Sequence, residues 1–328
     1  MESRFSKIEN KEEWRTLLNR ALFKTFFHSL EWEEFLEQHF NWLKFEHYNW
    51  RNQALLSLAG VGKKLISHPF CEYGGVLPLI SKINGQQFKQ ELFEEFKASI
   101  KISFHPALMD YFENLNDNEN QRETYLVGDL QKQTPDQLWE GLDRNRHRSI
   151  KTALDQGFKV EKCKSSQDLE RLYDFYVENL KKHKTLAYPF SFFEYFFKSP
   201  EAEIILVKKN GRLVGGNIFL FYNKFVHSFL CGFNEKYRKF GVHSLVIWSE
   251  MRRAQQKGFE VFDLGATRKM SSLEGFKQRW GGRVFPIFEL KNYTGESKLR
   301  NSFLRDVWSC LPTPLIKILS PRFIKHKL

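Results

Sequence analysis

The stretch "EIILVKKNGRLVGGNIFLFYNKFVHSFLCGF", residues 203–233, consists of three apolar runs separated by two turns. Asn210-Gly211 is a strong hairpin signal, because both positions tolerate the left-handed backbone that a two-residue turn demands. Asn223-Lys224 turns the chain a second time, so the runs fold as an antiparallel meander with one apolar face. The following "NEKYRKFGVHSLVIWSEMRRAQQKG" (234–258) reads as a loop opening into a helix. Leu245, Trp248, Met251 and Ala254 or Gln255 recur at helical spacing, and Gly258 stops it. "FEVFDLG" (259–265) is a further strand, and "RVFPIFEL" (283–290) is read as one more. The order is three antiparallel strands, helix, strand, helix, strand, which is an α/β (α+β) domain.

Working outward, the first half has a similar rhythm. "SLEWEEFLEQ" is a helix, "FEHYNW" and "ALLSLAG" pair around Arg51-Asn52-Gln53, and a glycine loop "FCEYGGVLP" follows. "GQQFKQELFEEFKAS" is a helix, "IKISF" a strand, and "ETYLV" closes the half. The similarity lies in element order, not in repeated residues. Between the halves, Thr134-Pro135-Asp136-Gln137 is a capping box with proline at the first helical position. An apolar line then runs Leu138, Leu142, Ile150 and Leu154, with Arg146 in its middle. A cation on a core-facing stripe needs an acid or an anionic ligand to offset its desolvation. The neighbouring Arg148 and Lys151 read either as a solvated basic turn or as further anion contacts. The expected organisation is an N-terminal domain over 1–130, a second over 131–290 and a basic amphipathic tail over 291–328.

The composition is that of a soluble globular chain: 41% hydrophobic and 27% charged over 328 residues. Cys71, Cys163, Cys231 and Cys310 lie far apart with no metal-ligand spacing, so free thiols in a reducing compartment are expected and no metal is called for. The N-terminus carries no signal-peptide core, and no apolar run reaches the ~18 residues of a membrane span. A cytoplasmic location is expected. Net charge is +12, and the last 38 residues hold eight Lys/Arg against two acids. That tail interleaves basic residues with Trp308, Leu311, Leu315, Ile316, Ile318 and Leu319. Over 298–328 it suits either the protein's own core or an anionic membrane at the inner face of the cell.

Two segments are rich in chemistry. "YRKFGVH" (237–243) opens the helix after the meander, and Arg238 and Gly241 fit an Arg-x-x-Gly start. The free N–H groups of a helix N-terminus can hold a phosphate, or the segment is a plain helix entry. "DLGATRKMSSLEGFKQRWGG" (263–282) concentrates an acid, two basic clusters and paired glycines in one loop.

The ordered set "RSIKTALDQGF", "HKTLAYPFSFFEYFF", "LVGGNIFLFYNKFVHSFLCG", "FDLG" and "GFKQRWGG" resembles the Fem-type aminoacyl- and acyltransferase family of the Gcn5-related N-acyltransferase (GNAT) superfamily. The likeness spans roughly residues 25–290, and "LISHPFCEYGGVLP" is similar to that family's first-domain glycine loop. The resemblance implies two tandem GNAT-like domains, each a mixed, mostly antiparallel sheet flanked by helices. It also implies acyl transfer to an amine or hydroxyl of a cell-envelope precursor, either peptidoglycan or surface polysaccharide, free or lipid-linked. Lys277 falls at the family's Phe-Lys position, implying contact with the reacting carbonyl. Asp263 stands beside it, to accept a proton or orient Lys277. Lys277 is expected in a surface loop, where truncating it would spare the fold, whereas Asp263 ends the preceding strand. Gly281 and Gly282 would admit substrate close to the backbone. Arg146, Arg148, His183, Tyr188, Tyr73, Gly74 and Gly75 are the candidates for substrate binding. Arg238, Gly241 and His243 are the candidates for the acyl donor, although His243 stands where typical acetyltransferases repeat glycine or alanine. The donor is acyl-CoA or aminoacyl-tRNA. No heptad run builds the coiled-coil arm of some family members. Two other classes fit less: a nucleic-acid-binding module, which charge alone suggests, and an inactive membrane-associated scaffold of the same fold. The sequence does not reveal the oligomeric state.

Overall fold

A computed structural model describes residues 4–115, 122–293 and 307–327, with side chains to Lys325. The chain forms two compact units, one of residues 1–124 with 285–295 and one of residues 125–284 with 296–328.

In the first unit, β1 (Phe5–Ile8) leads to α1 (Lys11–Arg20), whose first N–H groups are capped by Asn10, and to α2 (Leu30–His39), capped by Ser29. Strands β2 (Phe45–Trp50) and β3 (Ala54–Val61) pair antiparallel, and Arg51 and Asn52 both turn with positive φ. Next come β4 (Lys64–Ile66), β5 (Leu77–Pro78), β6 (Ile83–Asn84), α3 (Gly85–Glu95), β7 (Ser99–Phe104) and β8 (Phe112–Glu113).

In the second unit, β9 (Arg122–Val127) precedes α4 (Pro135–Glu140), α5 (Arg144–Asp155), β10 (Lys159–Lys162), α6 (Ser166–Lys182) and α7 (Phe190–Lys198). The meander is β11 (Ala202–Lys209), β12 (Arg212–Tyr222) and β13 (Phe225–Phe233). Helix α8 (Val242–Gln256), β14 (Val261–Arg268), α9 (Ser272–Lys277) and β15 (Arg283–Pro286) complete it. β16 (Phe288–Lys291) and α10 (Thr313–Phe323) follow.

The second sheet runs β10-β11-β12-β13-β14-β9-β15, and the first runs β1-β2-β3-β4-β7-β16 with β5 on β3; β6 and β8 form a small parallel pair. Among the described residues both large sheets are mixed and mostly antiparallel, with helices packed against them, as expected of two GNAT-like domains.

Several readings of the sequence are corrected. "ETYLV" does not close the first sheet: it is β9, inside the second. "RVFPIFEL" is two strands, β15 in the second sheet and β16 on the edge of the first, antiparallel to β7. The first unit thus ends at Thr124 and regains 285–295, whereas sequence alone places the boundary near 130. The helix begun by the Thr134 box is also broken, because Asp143 caps a new helix through Asn145 N. Residues spaced by four drift about 40° per step around a helix. The line accordingly ends at Ile150: Ala153 is buried and Leu154 is 53% exposed.

The first unit buries a charge. Glu33, 2% exposed, accepts from Ser57 Oγ (2.6 Å), His68 Nε2 (3.1 Å) and His47 Nε2 (2.7 Å). Burial pushes its pKa up, but the hydrogen bonds from His47 and His68 outweigh this and hold it at about 2. A pKa depressed in the folded state stabilises above the unfolded value, and that stability is lost as pH falls from about 4.5 toward 2. The contribution is on the order of 3 kcal/mol. Denaturant titrations should therefore show a steep loss between these pH values that Glu33→Gln flattens; an unchanged acid limb would contradict this.

The tail is described only in part, since residues 294–306, with Lys298, Arg300 and Arg305, lie outside the described residues. α10 docks on α6 through Ile316 and Ser320, with Ile324 buried beyond its end. Ser320 Oγ donates to Ala187 O (2.9 Å) and accepts from Ala187 N (2.6 Å), while Lys317 pairs with Asp174. No helix among the described residues is long and apolar enough to cross a membrane.

Candidate active site

The second unit's sheet opens at its centre. β13 and β14 pair in parallel over Phe225–His227 and Val261–Asp263, while β13 runs on to Phe233 and β14 to Arg268. At Ile218/Phe219 the β12–β13 register slips so that Ser228 and Phe229 together face one residue, a bulge that bends β13 beside this opening. Past the bulge, Asn179 of α6 makes a two-way pair with Phe233, accepting from its N (2.8 Å) and donating to its O (2.9 Å). A side-chain amide thus does for β13 what a neighbouring strand would.

β14 turns at Gly265, where φ is +77°. Asp263, fully buried, accepts from Gly265 N (2.8 Å), and Lys277 Nζ donates to Gly265 O (2.6 Å) and Ala266 O (3.0 Å). The two residues that sequence makes catalytic therefore converge on one residue, Gly265, at the opening. Lys277 is 6% exposed, which corrects the expectation of a loop side chain whose loss spares the fold. Its charge is felt by the Cys231 thiol of β13, which burial pushes up to about 11 and Lys277 draws back down.

Beside this lies a cationic cluster at the start of α8. Arg146, 8% exposed, donates from Nη1 to Ser244 Oγ (2.8 Å) in the first turn of that helix. Its guanidinium stacks over Phe276 (4.6 Å) and Trp280 (5.9 Å), and its buried Nε has no hydrogen-bond partner. Among the described residues it forms no salt bridge, and burial and Arg279 both press its pKa down. His243 is held between Phe233 (ring centroids 4.6 Å) and Phe276 (4.9 Å, nearly parallel). Burial first, then Arg146, Lys277 and Arg238, lower its pKa to about 3, so it is neutral at physiological pH. A buried cation beside the positive end of a fifteen-residue helix, with no acid in its first turn, is an arrangement that favours an anion.

The other candidates fall as follows. Gly241 has φ +75°, and a Cβ there would stand 2.3 Å from Ser149 O, so α5 of the same chain occupies the space beside it. Gly241→Ala should cost about 1–3 kcal/mol through overpacking and a strained φ, read as a lowered denaturation midpoint. Arg238 and Arg148 are exposed. His183 caps α6 in solvent. Tyr188 is buried, stacked on Phe192 at 4.9 Å, and its N donates to Tyr176 Oη (3.2 Å). Gly281 and Gly282 meet the chain itself: Cβ atoms there would lie 2.5 Å from Gly141 O and 2.8 Å from Leu126 O. Tyr73, Gly74 and Gly75 lie in the first unit, all buried, with Tyr73 Oη donating to Thr124 Oγ1 (2.8 Å) and a Cβ on Gly74 meeting Ser67 O at 2.5 Å. The structure thus gathers Arg146, His243, Lys277 and Asp263 in one region. Ser244, Phe276 and Asn179 join them without having been singled out; of these, only Asn179 gives no pattern that a reader could have followed.

The sequence model of the Acetyltransferase (GNAT) domain family matches residues 143–278. No curated protein matches the chain in sequence. Among solved structures, FemX superposes with a TM-score of 0.62 at 14% identity, covering 96% of this chain and 100% of its own. L-PGS from Bacillus licheniformis gives 0.57 at 13% identity, over 96% and 97%. A tandem GNAT protein from the clavulanic acid biosynthesis pathway gives 0.51 at 9%, over 89% and 99%. Residues 143–278 are therefore a GNAT acetyltransferase domain, and the chain is an acyltransferase with the two-domain fold of the Fem-type proteins.

Proposed function

We propose that this acyltransferase moves an acyl or aminoacyl group from an activated, phosphate-bearing donor to an amine or hydroxyl of a cell-envelope precursor. The observation that carries the donor half is Arg146: a buried guanidinium with an unsatisfied Nε, at a helix N-terminus, facing other cations. That arrangement fits a donor phosphate, which would satisfy the Nε–H and neutralise the cluster. A GNAT fold implies a donor of the acyl-CoA type. The net charge of +12 favours a larger polyanion, aminoacyl-tRNA, as the second reading. The acceptor class is supported by FemX and L-PGS as fold relatives.

In this reading the acyl carbonyl lies at the opening between β13 and β14, near Lys277. The acceptor's nitrogen or oxygen attacks the acyl carbon, and the Lys277 ammonium stabilises the oxyanion that develops. Asp263 fixes the Gly265 turn and with it the position of Lys277. Collapse of the tetrahedral intermediate expels the donor's thiol or ribose hydroxyl, which takes up the proton given by the acceptor. Arg148, His183, Tyr188, Tyr73, Gly74 and Gly75 stay candidates for acceptor contacts. The test is incubation of the purified protein with a panel of acyl-CoAs, and separately with charged tRNA, plus envelope precursors, followed by mass spectrometry. Product from one donor class and not the other identifies the donor; no acylated precursor from either would overturn the proposal.

A further inference from the structure

Helix α10 is apolar on two opposite sides, and only one of them is used. Ile316 and Ser320, four residues apart, face α6, and Ile324 continues that line. About half a turn away on the helix lie Leu315, Ile318 and Arg322, with Lys325 in the turn that follows its end. Leu315 and Ile318 are 45% and 55% exposed, and Arg322 and Lys325 are exposed as well. The two hydrogen bonds between Ser320 and Ala187, with the Lys317–Asp174 pair, fix which side faces outward. Rotating the helix to hide Leu315 and Ile318 would break all three.

Charge selects the occupant of this face. From Val307 to Lys325 the sequence contains no Asp or Glu, and the last 38 residues carry a net +6. A surface of aliphatic side chains edged only by cations suits an interface that is apolar inside and anionic outside. We propose that the outer face of α10 rests on an anionic lipid leaflet, with Leu315 and Ile318 among the acyl chains and Arg322 and Lys325 at the headgroups. That the membrane also presents a lipid-linked acceptor rests on the function proposed above; the docking itself does not. Each basic residue near an anionic leaflet raises partitioning about fivefold, or ~1 kcal/mol. With the two inserted side chains this gives reversible attachment.

The test is co-sedimentation of the full chain with phosphatidylcholine vesicles, with and without phosphatidylglycerol. The wild type is expected to pellet only with the anionic vesicles and to be released by high salt. Leu315→Gln/Ile318→Gln and Arg322→Glu/Lys325→Glu should each weaken this at least about tenfold, with unchanged melting temperatures because all four side chains are exposed. No binding by the wild type, or undiminished binding by both double variants, overturns the proposal. So does sedimentation showing that Leu315 and Ile318 instead join two copies of this chain. The assay contains neither donor nor acceptor, so its failure leaves the acyl-transfer reading standing.

Discussion

Lys277→Ala is expected to lower transfer by two to three orders of magnitude and, at the same time, to destabilise the second unit. The first effect follows from removing the cation at the opening, a loss comparable to that of an oxyanion donor elsewhere. The second follows from burial: Gly265 O and Ala266 O lose the ammonium that both accept from. Removing one partner of a buried hydrogen bond costs about 1–3 kcal/mol. Lys277→Met helps to separate the two effects, because it keeps the packed stem that Ala also loses and removes the ammonium with its two hydrogen bonds. If transfer falls equally in both variants while Lys277→Met melts nearer the wild type, the charge is what chemistry needs. Wild-type turnover in Lys277→Met would leave Lys277 as a strut for the Gly265 turn and nothing more.

Arg146→Leu should show the reverse pattern. The guanidinium packs over Phe276 and Trp280 without an ion pair among the described residues, so a shorter apolar side chain removes a desolvation cost as well as a contact. Stability should change by less than about 1 kcal/mol. Donor affinity should fall roughly 10- to 100-fold, since a hydrogen bond to a charged group contributes about 1.5–3 kcal/mol. Calorimetry with the donor and with its dephosphorylated analogue reads this directly. The analogue should bind wild type and Arg146→Leu alike; equal affinity of both proteins for the intact donor would remove Arg146 from the site.

Why the second unit was legible and the first less so can be traced to particular residues. Asn210-Gly211, Asn223-Lys224 and Gly258 are local signals, and the elements they bound fall within a residue or two of the strands and helix observed. Arg146 was legible because a cation broke an apolar line, and it is indeed buried. What failed was non-local. Nothing in "ETYLV" says that its partners are β14 and β15, far along the chain, and nothing in "RVFPIFEL" marks Ile287 as the point where one sheet gives way to another. The glycines misled for a related reason. Gly241, Gly281 and Gly282 suggested room for a ligand, but the backbone that comes close is the protein's own, at Ser149, Gly141 and Leu126. Glycine reports that something approaches; it does not report what.

The strand β16 has a consequence for synthesis on the ribosome. It pairs with β7, so the first sheet cannot be completed until residues 288–291 leave the exit tunnel. At roughly 5–20 residues per second, that is on the order of ten to forty seconds after β7 itself emerges. Throughout that interval the β7 edge, with Ile100, Ile102 and Phe104 along it, awaits its last partner, an open template for pairing with another nascent chain. A chain cut before residue 288 would hold that edge open permanently, so truncation just past the matched domain should yield aggregate rather than a smaller enzyme.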